Sequence, residues 1–339
     1  MNTLFLDALA CRNDSRAPVW LMRQAGRYLP EYRKIREKYT FTEMYRHPEI
    51  ASEVTLQPIQ IFGMDAAILF SDILVIPEAL GLGLHFKDGV GPIIERPLLT
   101  DVDIDSLPKP ELAESLSYVT QAIDHLSPQL DVPLIGFCGA PFTVASYMIE
   151  GGSSRELKKT KQWMLRNPKS FHRLLKHITT CTIEYLNLQI EAGVSALQIF
   201  DSWANALGYA QFRECSLNYL SEIRKGLKNQ NIPVILFCRG SSVFLESLAE
   251  IMPDGISLDW NINLKKARSV IPETIALQGN LDPDILYAPL HVIRQEVTDL
   301  LAAMKNDRGY IFNLGHGIKP DMAVDAVRTL VDSVKNFSR

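Results

Sequence analysis

Arg23 and Arg27, four residues apart around Gln24-Ala25-Gly26, are the side chains of this chain best placed for chemistry. They follow Pro18-Val19-Trp20-Leu21-Met22, an apolar run behind a proline that reads as an interior strand. Two guanidinium groups at the end of such a strand suit a carboxylate or phosphate ligand, because each offers a planar fork of donors and stays charged. A helical turn after Arg23 would bring both onto one side through the i, i+4 spacing. The plain alternative is two surface arginines at a helix start.

Other candidates stand at the ends of similar runs. Asp72 directly follows Phe70-Ser71 at the lip of an apolar segment. It reads either as a helix cap or as a carboxylate facing a cationic or N–H-rich ligand, held ionised by the arginines. His316 lies between Gly315 and Gly317, an arrangement that lets backbone approach a ligand closely. Tyr147 is a helix-face aromatic or a phenol within reach of a ligand carboxylate. Ser202 caps a helix or lines a site, and Asp201 beside it orients backbone or takes part in chemistry. No H-x-C, H-E-x-x-H or acidic calcium loop is present, and Leu236 stands where a histidine would precede Cys238. A catalytic zinc is therefore not expected. The absence of G-x-G-x-x-G and P-loop patterns speaks against a nucleotide.

Eight short apolar runs recur: 19–22, 66–70, 133–138, 196–200, 234–238, 255–258, 275–277 and 310–314. Several are continuous rather than alternating, as in strands buried on both faces of a parallel sheet. Amphipathic stretches separate most of them. Phe171 to Glu191 is the clearest, with Phe171, Leu174, Leu175, Ile178, Ile183, Leu186 and Ile190 at helical spacing. Phe212 to Lys228 and Ala323 to Phe337 read the same way. This alternation predicts an α/β protein, a single (β/α)8 TIM barrel over residues 1–339, whose site gathers at the C-terminal ends of the strands. The glycine-rich 82–98 segment reads as a turn-rich excursion from it.

The chain has 339 residues, 47% of them hydrophobic and 22% charged, the balance of an ordinary soluble enzyme. A net charge of -4 gives no support to nucleic-acid binding, though it leaves room for a locally basic pocket. Residues 1–16 carry no signal-peptide pattern. The most membrane-like segment, 66–84, contains Asp72, Pro77 and Glu78 and reads as a core strand and loop instead. Five scattered cysteines without C-x-x-C argue for a reducing, cytoplasmic setting and against a disulfide frame or structural zinc.

At these residues the chain resembles the uroporphyrinogen decarboxylase family. The resemblance rests on MRQAGRYLPEYR at 22–33, FSDIL at 70–74, GAPFTVASYMIEGG at 139–152, FDSWA at 200–204 and NLGHG at 313–317, in the family's order along essentially the whole chain. It implies a single barrel that removes carbon dioxide from the four acetates of uroporphyrinogen to give coproporphyrinogen, usually as a homodimer and without a cofactor. It also implies that Arg23, Gln24, Ala25, Gly26 and Arg27 form a binding loop. Asp72 would bind the pyrrole N–H groups, and Tyr147, Ser202 and His316 would complete the site. The residues themselves agree with that chemistry. Permanently charged arginines suit a substrate with many carboxylates, and a pyrrole protonated at carbon supplies the electron sink that decarboxylation otherwise draws from a cofactor. Two other readings stand beside it: a zinc-dependent corrinoid or thiol methyltransferase of related barrel fold, which lacks its H-x-C here, and a non-catalytic tetrapyrrole carrier.

Overall fold

Seven of the eight apolar runs form the strands of one parallel sheet in the computed structural model, which describes residues 2–87 and 89–338. Met1, Asp88 and Arg339 lie outside the described residues. The strands are β1 (Ala67–Ile68), β4 (Leu134–Gly139), β5 (Ala196–Asp201), β6 (Val234–Cys238), β7 (Gly255–Ser257), β8 (Ala276–Leu281) and β9 (Tyr310–Leu314), paired in that order. Between the first two of these, β2 (Leu84–Lys87) and β3 (Gly91–Ile94) form a separate antiparallel hairpin, the predicted excursion. Every residue of β4, β6, β7, β8 and β9 is buried, which explains why their sequences run apolar without alternation.

Inward-facing Ile135, Ala196, Ile235, Ala276 and Ile311 meet Trp20 and Phe5 in one apolar cluster, which requires the sheet to curl around it. Leu9 of the first helix packs at the N-terminal end, where a Cβ on Gly255 would lie 3.1 Å from its Cδ2. The outer faces are covered by helices. The longest, Pro168–Ala192, buries Phe171, Leu174, Leu175, Ile178 and Leu186 as its spacing predicts, while Ile183 and Ile190 stay partly exposed.

The first run departs from expectation. Val19 makes a single parallel bridge to Phe312, and the Phe312 N–H donates to the Pro18 carbonyl at 2.9 Å. No continuous ladder follows, because side chains take the N–H groups a ladder needs. Val19 N–H donates to Asp65 Oδ2 at 2.8 Å, Leu21 N–H to Gln24 Oε1 at 3.1 Å and Met22 N–H to Asn313 Oδ1 at 3.1 Å. The fold shown is thus a curled seven-stranded parallel sheet with helices, not a closed eight-stranded ladder.

The 212–228 stretch is helical as far as Gly226, with a π turn inside it. It runs as Tyr209–Phe212, a π turn at Arg213–Leu217, and then Asn218–Gly226. Ala323–Phe337 is helical from Val324 to Asn336, as expected. Among the described residues no helix is long and apolar enough to cross a membrane.

Candidate active site

The C-terminal ends of β1, β4, β5, β6 and β9 border a cavity of about 610 Å³, and of the candidates named from the sequence all but Asp201 line it: Arg23, Gln24, Ala25, Gly26, Arg27, Asp72, Tyr147, Ser202 and His316. Arg23 and Arg27 reach it from a loop and not from a helical turn. Gln24 N–H donates to the Leu21 carbonyl at 2.9 Å and Leu29 N–H to the Gly26 carbonyl at 3.0 Å, giving two successive turns. Arg23 sits at the third place of the first turn with φ 61°, a backbone conformation uncommon for a residue with a Cβ. Gln24 is buried, and its side chain works on the fold: the amide donates to the Ala66 carbonyl at 3.1 Å. Both arginines remain exposed.

Asp72 follows β1 and is half-buried. Its Oδ1 accepts the N–H of Leu74 at 2.8 Å, closing a small turn before the helix Val75–Ala79. That takes one oxygen. Among the described residues Oδ2 has no hydrogen-bond partner, so this oxygen is available to the cavity. Burial pushes the carboxyl up to about 7, opposed by the Leu74 N–H and the Arg23 charge and reinforced by Glu78. The expectation that the arginines hold it ionised is therefore corrected: at neutral pH desolvation outweighs Arg23. Glu78 is itself fixed by the Tyr45 hydroxyl at 3.1 Å and by Arg46 at 2.7 Å.

His316 follows β9. Its Nδ1 accepts the Gly317 N–H at 2.8 Å, so the neutral ring carries its proton on Nε2. Burial, with the charges of Arg23, Arg239 and Lys319, lowers its pKa to about 4, which keeps it neutral at ordinary pH. The flanking glycines answer to the protein's own atoms. A Cβ at Gly315 would lie 2.7 Å from the Trp260 nitrogen, and one at Gly317 2.4 Å from Cδ of Arg23.

Tyr147, on the helix Pro141–Glu150, packs edge-on against Trp203 at 5.9 Å between ring centroids. Its phenol is raised by burial, with hydrogen bonds to Ser153 and Trp203 acting the other way. Ser202 and Trp203 lie in the turn after β5, held by Asp201. That carboxylate accepts the hydroxyls of Thr143 and Ser216, each at 2.5 Å, and Thr143 Oγ1 in turn accepts the Trp203 N–H at 3.1 Å. Asp201 is fully buried and orients this turn, in line with the backbone-orienting one of its two readings.

Three lining cations were not found from sequence: Arg36, Lys87 and Lys319. Lys319 pairs with Asp284 and lies over the Tyr287 ring at 5.6 Å. Arg36 ends the helix Pro30–Arg36, one element beyond the arginine loop, and Lys87 ends β2. Only their nearness to recognised motifs could have signalled them.

A curled parallel α/β sheet whose strand ends hold several cations around one half-buried carboxyl defines an enzyme-like site for a polyanionic, N–H-bearing ligand. The chain belongs to the uroporphyrinogen decarboxylase family, whose model matches residues 1–337. It is 62% identical over 334 residues to the uroporphyrinogen decarboxylase of Protochlamydia amoebophila, covering 98% of this chain and 92% of the relative. It is 46% identical over 342 residues to that of Ruthia magnifica subsp. Calyptogena magnifica, covering 99% of each. Among solved structures, a methyltransferase from Methanosarcina mazei superposes with a TM-score of 0.84 at 22% identity, covering 99% of this chain and 98% of that one, a likeness of fold.

Proposed function

We propose that this protein is a uroporphyrinogen decarboxylase that converts the four acetate side chains of uroporphyrinogen to methyl groups, giving coproporphyrinogen in porphyrin biosynthesis. The observation that carries the reading is one cavity holding Arg23, Arg27 and the available Oδ2 of Asp72 in a chain of this family. The finer fold reading is a closed eight-stranded barrel forming one domain over 1–339. It is supported by the Pro18–Val19 backbone bonding both to Phe312 of β9 and to Asp65 ahead of β1.

In this reading Arg23 and Arg27 hold substrate carboxylates, and the pyrrole N–H groups point at Asp72. A proton added to a ring carbon makes a cation that draws in the C–CO2 electron pair. After CO2 leaves, the exocyclic carbon takes a proton to become a methyl and the ring carbon gives its own back, so each acetate consumes one proton. Ionised Asp72 stabilises the ring cation. Proximity to that cation offsets the burial that otherwise keeps the carboxyl part-protonated. Neutral His316 donates from Nε2, and Tyr147 and Ser202 supply hydroxyls to further carboxylates. Gln24, Ala25 and Gly26 contribute the backbone of the loop.

The ring acts as its own electron sink, which supports catalysis without cofactor or metal in this cavity. We also read the protein as cytoplasmic and homodimeric, with no nucleic-acid or membrane partner. The methyltransferase alternative is supported only by likeness of fold. Anaerobic incubation with uroporphyrinogen, with products resolved by carboxylate number, tests the proposal. The expected product carries four carboxylates; unchanged octacarboxylate refutes it and leaves the carrier reading.

A further inference from the structure

Away from the cavity, the π turn at Arg213–Leu217 brings Glu214 and Cys215 beside His172 of the helix Pro168–Ala192. An imidazole nitrogen, a carboxylate oxygen and the thiol sulfur all lie within 4.8 Å of one another. His172 Nε2 is 3.0 Å from Glu214 Oε1. Its Nδ1 is 2.7 Å from the Tyr219 hydroxyl, and the two rings stack with centroids 6.0 Å apart. His172, Glu214 and Tyr219 line a surface groove of about 970 Å³, and none of the three lines the substrate cavity. Two of the cations lining the groove carry their own counter-ions: Lys176 pairs with Glu222 and Arg173 with Asp105.

We propose that His172, Glu214 and Cys215 bind a borderline-soft divalent cation, Zn²⁺ by its chemistry, with a groove water in the fourth position. The donor set argues for it, since nitrogen, sulfur and one carboxylate oxygen suit zinc and not calcium or magnesium. So does the Tyr219 contact, because a ligating histidine has its second nitrogen held by a polar partner. The π turn is the third argument: such turns inside α-helices are frequent at functional sites. Cys215 is buried and Glu214 exposed, so the ion reaches the sulfur past Glu214, and the thiol proton leaves to solvent. The next residue, Ser216, donates to Asp201, which orients the Ser202 turn. A bound ion therefore braces the helix pair behind one wall of the cavity. Motif reading misses the site because His172 and Glu214 are 42 residues apart.

Titrating metal-free protein with Co²⁺ tests this. The expected result is a single equivalent with tetrahedral d–d bands and a thiolate-to-cobalt charge-transfer absorption, displaced by Zn²⁺. Cys215→Ser removes the charge-transfer absorption, whereas Cys181→Ser, at a thiol lining the groove, keeps it. Tyr219→Phe weakens binding about 10–100-fold. No charge-transfer absorption in the wild type, or its persistence in Cys215→Ser, overturns the site. If Cys215→Ser fails to fold, exposed Glu214→Gln carries the test, and unchanged affinity and spectrum overturn it.

Discussion

Gly317 accommodates the side chain of Arg23: a Cβ at 317 would lie 2.4 Å from Cδ and 2.7 Å from Cγ of the arginine. The glycine thus seats the guanidinium, and it does so from the other end of the chain. Its backbone is not left-handed, so alanine costs little there except through Arg23. Gly317→Ala is expected to displace Arg23 and lower kcat/KM about 10²-fold, the scale of a misplacement near 1 Å, with little change in thermal midpoint. In an Arg23→Ala background the same substitution should cost almost nothing, because the clash is gone. Equal losses in both backgrounds would separate the two residues.

Arg27 is exposed, and in the proposed function it meets a substrate carboxylate from the loop's far turn. Its carboxylate contact is the same in ground and transition states, so Arg27→Ala should raise KM about tenfold and change kcat much less. An unchanged KM contradicts that role.

His316 is expected to stay a neutral Nε2–H imidazole across pH 5–8, because its pKa is lowered to about 4. Imidazole nitrogen NMR of the folded protein checks this, and an imidazolium signal at pH 6 would refute it. The linkage has a sign. Between about 4 and the ordinary 6.5 the unfolded chain takes a proton that the folded protein refuses, so stability rises with pH through that window. His316→Gln should remove that rise.

How much of this could be read beforehand depended on distance along the chain. Seven strands were legible because continuous apolar runs follow from burial on both faces, a local property. Val19–Met22 reads identically, yet its partners Asp65 and Asn313 are remote, and their side chains replace the ladder. The site residues were findable because most of them follow an apolar run directly, Tyr147 being carried in by the helix Pro141–Glu150 behind β4. The protonation of Asp72 was misjudged, since proximity to Arg23 is visible in sequence order and desolvation is not. That Gly317 also makes room for Arg23 is invisible in the sequence, because the two lie at opposite ends of the chain.

Asp72 joins these effects in one measurable residue. Asp72→Asn retains an Oδ1 for the Leu74 N–H, so the turn survives, but it cannot oppose a ring cation. Loss of one preorganised electrostatic contact costs roughly 10²–10³ in turnover, and Asp72→Glu should also fail because the charge moves by about one methylene. Stability should move the other way. Between the ordinary 3.8 and about 7 the folded protein holds a proton that the unfolded chain has released, so the wild type loses stability as pH rises through that window. Asparagine has no such loss. At pH 8 the variant should be more stable than wild type by about 2 kcal/mol, after allowing for the partial exposure of the carboxyl, with the advantage gone near pH 4. Kinetics and thermal melts at the two pH values check both halves. If Asp72 only closes the turn, Asn serves equally well, turnover stays near normal, and Asp72 leaves the catalytic site.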